Sequence, residues 1–62
     1  MMKVGDLVRY TPENKGDLEG VALVIRSDAM RVSWVVKWLD DGTEDYTRDF
    51  LPGELEVVSE SR

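Results

Sequence analysis

The chain of 62 residues contains no cysteine and no histidine. Without cysteine there is no disulfide framework, no thiolate nucleophile and no thiolate metal site. Without histidine, the commonest general base and the commonest metal ligand are both missing. Basic residues are scarce as well: eight Lys and Arg stand against thirteen Asp and Glu, for a net charge of -5. Phosphate-backbone binders normally carry a basic face, so this balance speaks against one. Long apolar runs are absent too. The longest, Val21-Ala22-Leu23-Val24-Ile25, is far short of the roughly 20 residues that span a bilayer. The opening Met1-Met2-Lys3-Val4-Gly5-Asp6 holds no apolar signal core, and the expectation is a cytoplasmic protein.

What is present fits one small globular domain over residues 1–59, with a frayed tail at 60–62. The apolar fraction of 42% supports a folded core rather than a disordered chain. A domain of this size buries only about 60% of its unfolded surface, so its stability is modest.

Five short strands can be read along the chain. The first covers 4–10, with a Gly5-Asp6 turn signal inside its start. A polar stretch at 11–19, with Pro12, Asn14, Gly16 and Asp17, reads as a long hairpin loop. The second strand, 20–26, is apolar without alternation. It is either buried on both faces or bends and changes face. Residues 27–30 form a short polar connection. In the third strand, 31–39, Val32, Trp34, Val36 and Trp38 share one face and Arg31, Ser33, Val35, Lys37 and Leu39 the other. Asp40-Asp41-Gly42 closes a tight hairpin, because Gly accepts positive φ at no steric cost. The fourth strand is 43–47, with Tyr46 on the core face. Residues 48–53 hold one turn of 3₁₀ helix, broken by Pro52-Gly53. The last strand is 55–59, with Leu55 and Val57 inward.

Five short antiparallel strands cannot build two full sheets, but they can close into a barrel and remove exposed edges. The fold class expected is therefore all-β: a five-stranded antiparallel barrel with one 3₁₀ turn before the last strand. Val4-Gly5-Asp6-Leu7-Val8-Arg9-Tyr10, Gly20-Val21, Val36-Lys37-Trp38-Leu39-Asp40-Asp41-Gly42-Thr43 and Leu55-Glu56-Val57-Val58 together resemble small SH3-like barrels of the KOW and Tudor-like kind. The pattern is particularly similar to short proteins of tailed bacteriophages, including phages of marine bacteria. The resemblance covers nearly the whole chain, but its motifs are structural rather than catalytic. It implies an SH3-like barrel, and its members serve ribosomal, transcriptional, chromatin and virion roles.

Two groups of side chains are candidates for function. The aromatics Tyr10, Trp34, Trp38, Tyr46 and Phe50 either pack the core or line a groove for a peptide. Trp34 lies where its strand outruns the barrel, and exposed beside Val32 it marks an interaction patch or a dimer seam. Tudor-like barrels cage a methylated ammonium with aromatics, but the cage positions cannot be assigned in this sequence. The second group is acidic: Asp40, Asp41, Glu44, Asp45 and Asp49. These lack the spacing of a calcium loop and serve as a solvated hairpin or as a face for a basic partner. Strand alternation points Glu44 away from Asp45, which splits the cluster.

Catalysis is not expected, since no Ser or Thr sits in an activating motif, no Gly-rich phosphate loop exists and no cofactor is implied. The leading reading is a non-enzymatic protein-interaction module whose protein partner is contacted through Trp34, Val32, Val35, Asp40, Asp41 and Tyr10. The alternatives are a structural or self-assembling virion-associated protein, with Trp34 and Val35 in the seam, and a single-stranded nucleic-acid binder using Arg9, Arg26, Arg31 and Lys37.

Overall fold

The computed structural model describes residues 2–12 and 20–59. Most of the loop expected at 11–19, and the tail at 60–62, lie outside the described residues. The chain forms β1 (Leu7–Tyr10), β2 (Val21–Asp28), β3 (Ser33–Trp38), β4 (Glu44–Tyr46), a 3₁₀ turn (Thr47–Asp49) and β5 (Leu55–Ser59). All strands pair antiparallel in one sheet, in the order β4-β3-β2-β1-β5. The fold is all-β, as the alternation of apolar and polar residues predicts. The sheet is not closed: β4 and β5 are its two edges, so the expected barrel closure is not part of the observed ladder.

Register explains which side chains share the core. Val8 pairs with Ala22 and with Val57, Ala22 with Trp38, and Val24 with Val36. Val8, Ala22, Val24 and Val36 have no exposed surface, and Met2, Trp34, Trp38, Leu55 and Val57 pack around them. Each fully buried valine contributes about 1.5–3 kcal/mol relative to exposure. Leu55 and Val57 therefore face inward, as alternation in the last strand requires.

The apolar run in β2 resolves into a bend. Val24 pairs with Val36 but Arg26 pairs with Val35, so Ile25 is an extra residue on the β2 side. Such a bulge reverses the in-out parity of the strand. Ala22 and Val24 face the core before it, and Ser27, opposite Trp34, follows on that same face after it. The other face of β3 carries Val35, which is 2% exposed between its cross-strand neighbours Arg26 and Tyr46. Tyr46 is thus on the face opposite Val36, not on the core face expected for it. It is covered there by the Arg31 guanidinium, 5.1 Å from the ring centroid.

Both hairpins at the ends of β3 have four-residue loops. The β3–β4 loop, 39–42, is closed by the Trp38 N–H donating to the Thr43 carbonyl at 2.8 Å, and it ends on Gly42 at φ +75°. The β2–β3 loop, 29–32, lies between the paired Asp28 and Ser33 and ends on Val32 at φ +50°. Val32 was expected as a strand residue facing the same way as Trp34; it is instead a turn residue, 87% exposed. A β-branched residue in the left-handed region costs on the order of 1–3 kcal/mol.

Asp6 is the one fully buried charged residue among those described. Its carboxylate accepts the backbone N–H of Lys3 at 2.9 Å, and the Lys3 ammonium lies 4.0 Å away. The same residue's carbonyl accepts Val24 N–H, and Gly5 N–H donates to the Val24 carbonyl. The turn ahead of β1 is thereby fastened to β2.

Val32→Asn relieves the left-handed backbone without losing packing, and a gain of about 1 kcal/mol is expected in urea unfolding. A loss there would place Val32 in contacts absent from the structure. Asp6→Ala leaves the Lys3 N–H without its acceptor, and a loss of about 1–3 kcal/mol is expected by the same measurement.

Candidate functional site

The residues proposed from sequence as one contact surface separate into two grooves at opposite ends of β3. Tyr10, Asp40 and Asp41 line the first, together with Gly20, Trp38, Thr43, Asp45 and Phe50. Val32 and Trp34 line the second, with Ser27, Asp28, Ala29, Ser33, Thr47 and Arg48. Val35 lines neither and is buried, so it offers no contact surface.

The first groove is open and about 430 Å³ in volume. Beside the β3–β4 loop and Gly20, three strands and the 3₁₀ turn build it. Tyr10 ends β1, Trp38 ends β3, Asp45 is the middle residue of β4, and Phe50 caps the 3₁₀ turn. The Phe50 ring sits between the other two: its centroid is 5.6 Å from that of Tyr10, edge-on, and 6.0 Å from that of Trp38. Such spacings lie within the favourable range for aromatic pairs. The Trp38 indole Nε1–H donates to Asp45 Oδ2 at 2.6 Å, which fixes the indole plane at the groove wall. Asp45 is available because it stands opposite Val36, on the core side of β4. Glu44 points the other way, and Arg26 donates to its carboxylate at 3.0 Å. The acidic cluster is split as strand alternation predicts.

The Asp41 carboxylate is held by its own hairpin. The Thr43 backbone N–H donates to Oδ1 at 3.0 Å and the Thr43 hydroxyl at 2.8 Å. These bonds, the backbone one foremost, hold its pKa below the usual 3.8. Among the described residues no Lys or Arg lines this groove. Its lining is therefore three aromatic rings and three carboxylates, which is chemistry suited to a cation. Among the described residues no cluster of three or more Asp, Glu, His or Cys is placed to hold a metal ion.

The second groove is lined by one aromatic ring, one carboxylate, one guanidinium and three hydroxyl side chains among its residues. The Trp34 indole lies half-buried against the core. Thr47 Oγ1 accepts the Trp34 backbone N–H at 3.3 Å and lies 3.2 Å from Ser33 Oγ, and Ser33 Oγ accepts the Arg48 N–H at 3.1 Å. This network locks the start of β3 to the 3₁₀ turn. Arg48 Nη1 donates to the Arg31 carbonyl at 2.9 Å, and among the described residues no carboxylate lies within ion-pair distance of it. Met30, at the tip of the hairpin, is 92% exposed.

Asp28, beside this tip, is 21% exposed, and that partial desolvation opposes ionisation. Hydrogen bonds from the Arg31 backbone and side chain, that residue's charge and the Tyr46 hydroxyl outweigh it, so the pKa is lowered.

The basic residues proposed for nucleic acid do not gather into a free patch. Arg26 is paired with Glu44, and Arg31 is paired with Asp28 at 3.2 Å. Lys37 stands directly across from Glu44 on the neighbouring strand, and Arg9 lies half-buried on β1 between Val21 and Glu56. Phe50 and Asp45 were candidates in separate aromatic and acidic groups, and the 3₁₀ turn and the β4 register bring them to one groove. Arg48 was not among the contact candidates, and it reaches the hairpin end through the same 3₁₀ turn.

Trp34 packs on the core as well as lining a groove, so Trp34→Ala is expected to destabilise the fold by about 3 kcal/mol. Unchanged thermal melting of that variant would return Trp34 to the surface. Stability is also expected to fall at low pH. Asp28 and Asp41 have depressed folded-state pKa values, so their contribution is complete above about pH 4 and is lost as pH drops through those lowered values. Melting temperatures of the Asp28→Asn and Asp41→Asn variants should therefore depend less on pH in that window than the parent's.

No family model, curated protein or solved structure matches this chain.

Proposed function

We propose that this protein is a small, non-enzymatic SH3-like interaction module that holds a basic segment of a protein partner in the Tyr10–Trp38–Phe50 groove. The observation that carries this reading is the groove's lining: three aromatic rings, three aspartates and, among the described residues, no basic side chain. A Lys or Arg laid against such rings gains about 0.5–1 kcal/mol per contact when exposed and about 2 when desolvated. The aspartates add attraction at a range set by salt, with a Debye length of about 8 Å under physiological conditions. The strand order β4-β3-β2-β1-β5, with a 3₁₀ turn between β4 and β5, supports the SH3-like assignment. The relationship to phage proteins rests on the sequence resemblance alone. A nucleic-acid role is less favoured, because Arg26 and Arg31 are already neutralised by carboxylates.

The test is a titration of the full chain with a short lysine- and arginine-rich peptide, followed by NMR at the Trp38 indole N–H. Saturable shifts at Trp38 are expected, weakening several-fold as salt is raised and again in Asp40→Lys and Phe50→Ala. A Trp38 signal that never moves, with a folded protein, removes the groove as a cation site.

A further inference from the structure

The two ends of β3 are chemically complementary. Its six residues separate them by about 20 Å along the strand. At the C-terminal end lies the groove of Tyr10, Trp38 and Phe50 with its aspartates and, among the described residues, no Lys or Arg. At the N-terminal end the β2–β3 hairpin projects Met30 and Val32, 92% and 87% exposed, beside an Arg48 that no described carboxylate neutralises. Val32 holds this tip in a strained left-handed turn while burying almost nothing. Strain that brings no packing within its own fold often marks a position with a role outside it.

We propose that the chain associates head to tail, the Met30–Val32 tip of one copy seating in the Tyr10–Trp38–Phe50 groove of the next. The occupant is a second copy because this chain carries both halves of the match. A flexible thioether packs well against aromatic rings, and Met30 is the most exposed large apolar side chain described. As it enters, Arg48 approaches the rim that holds Asp40 and Asp41. The contact uses different surfaces on the two partners, so it is heterologous and does not close on itself at two copies. A hairpin tip in an open groove makes a small interface, at the weak end of the range below about 1,200 Å². The association is accordingly weak, sensitive to salt, and in competition with any basic segment for the same groove. The proposal rests on the groove being a cation site, and the experiment separates the two.

Sedimentation velocity of the full chain, from about 10 μM to 1 mM at low ionic strength, is the measurement. The weight-average sedimentation coefficient is expected to rise with concentration and to lose that dependence near about 0.5 M salt, where exposed charges are screened within a few ångström. Two variants at exposed positions then test the polarity. Met30→Asp removes the tip and Asp40→Lys impairs the groove, so each alone should remain monomeric. Mixed in equal amounts, they should form a dimer and stop, since one intact tip and one intact groove remain. Circular dichroism checks that both variants are folded.

A parent chain that stays monomeric throughout overturns the proposal. So does a parent that forms a dimer of fixed size, or a mixture of folded variants that does not associate. If the parent stays monomeric while the basic peptide still shifts Trp38, the groove reading survives and self-association alone is lost. If both fail, both readings fall.

Discussion

The pairing of β3 with β2, offset by one residue at Ile25, is the constraint on which the rest of this molecule depends. Without the bulge, strict alternation would send the residues of β2 beyond Val24 to the wrong side for pairing with the Trp34 end of β3. With it, Ala22, Val24 and Ser27 stand opposite Trp38, Val36 and Trp34 on one face. Both tryptophans then border a single core of small valines. One sits at each end, and each reaches past that core into a groove. The strand between them holds the grooves apart and sets their orientation.

Much of this was legible in the residues themselves. Alternation in Trp34, Val36 and Trp38 fixed the core face of β3, and Leu55 and Val57 fixed that of β5. The unbroken run through Ile25 signalled a strand that could not alternate simply, and the bulge is the form this took. The hairpins show where such reading stops. Both loops place their fourth residue at positive φ. Glycine at position 42 announces this, whereas valine at 32 conceals it, because its β-branched side chain suits a strand. Residues 31 and 32 were accordingly read as strand. Tyr46 was misplaced for a related reason: in a three-residue strand, one shift of register exchanges the faces.

The groove was less legible than the fold. Tyr10, Trp38, Asp45 and Phe50 are scattered through the sequence and meet only because β1 and β3 both flank β2. Phe50 arrives through the 3₁₀ turn, whose position depends on the Ser33–Thr47 contact rather than on any local motif. No spacing rule brings these four residues together. Charge was more informative in the negative: the acidic balance of the chain is mirrored in the pairing of Arg26 and Arg31 with carboxylates. Among the described residues at the β2–β3 hairpin end, Arg48 is left without a carboxylate partner.

The pairing of β1 with β5 has a consequence for how the chain is made. β1 is completed at Tyr10, but its second neighbour is Leu55–Ser59. On the ribosome β1 therefore presents a bare edge, with unpaired N–H and C=O groups, until the last of the five strands has emerged. At about 5–20 residues per second, that interval lasts on the order of seconds. The pairing is also long in sequence, which slows sheet completion after release. For that interval the nascent chain offers other strands a template that the finished sheet hides. The acidic residues between β3 and β5, already emerging before closure, give the unfinished chain a repulsive charge during its most adhesive moment.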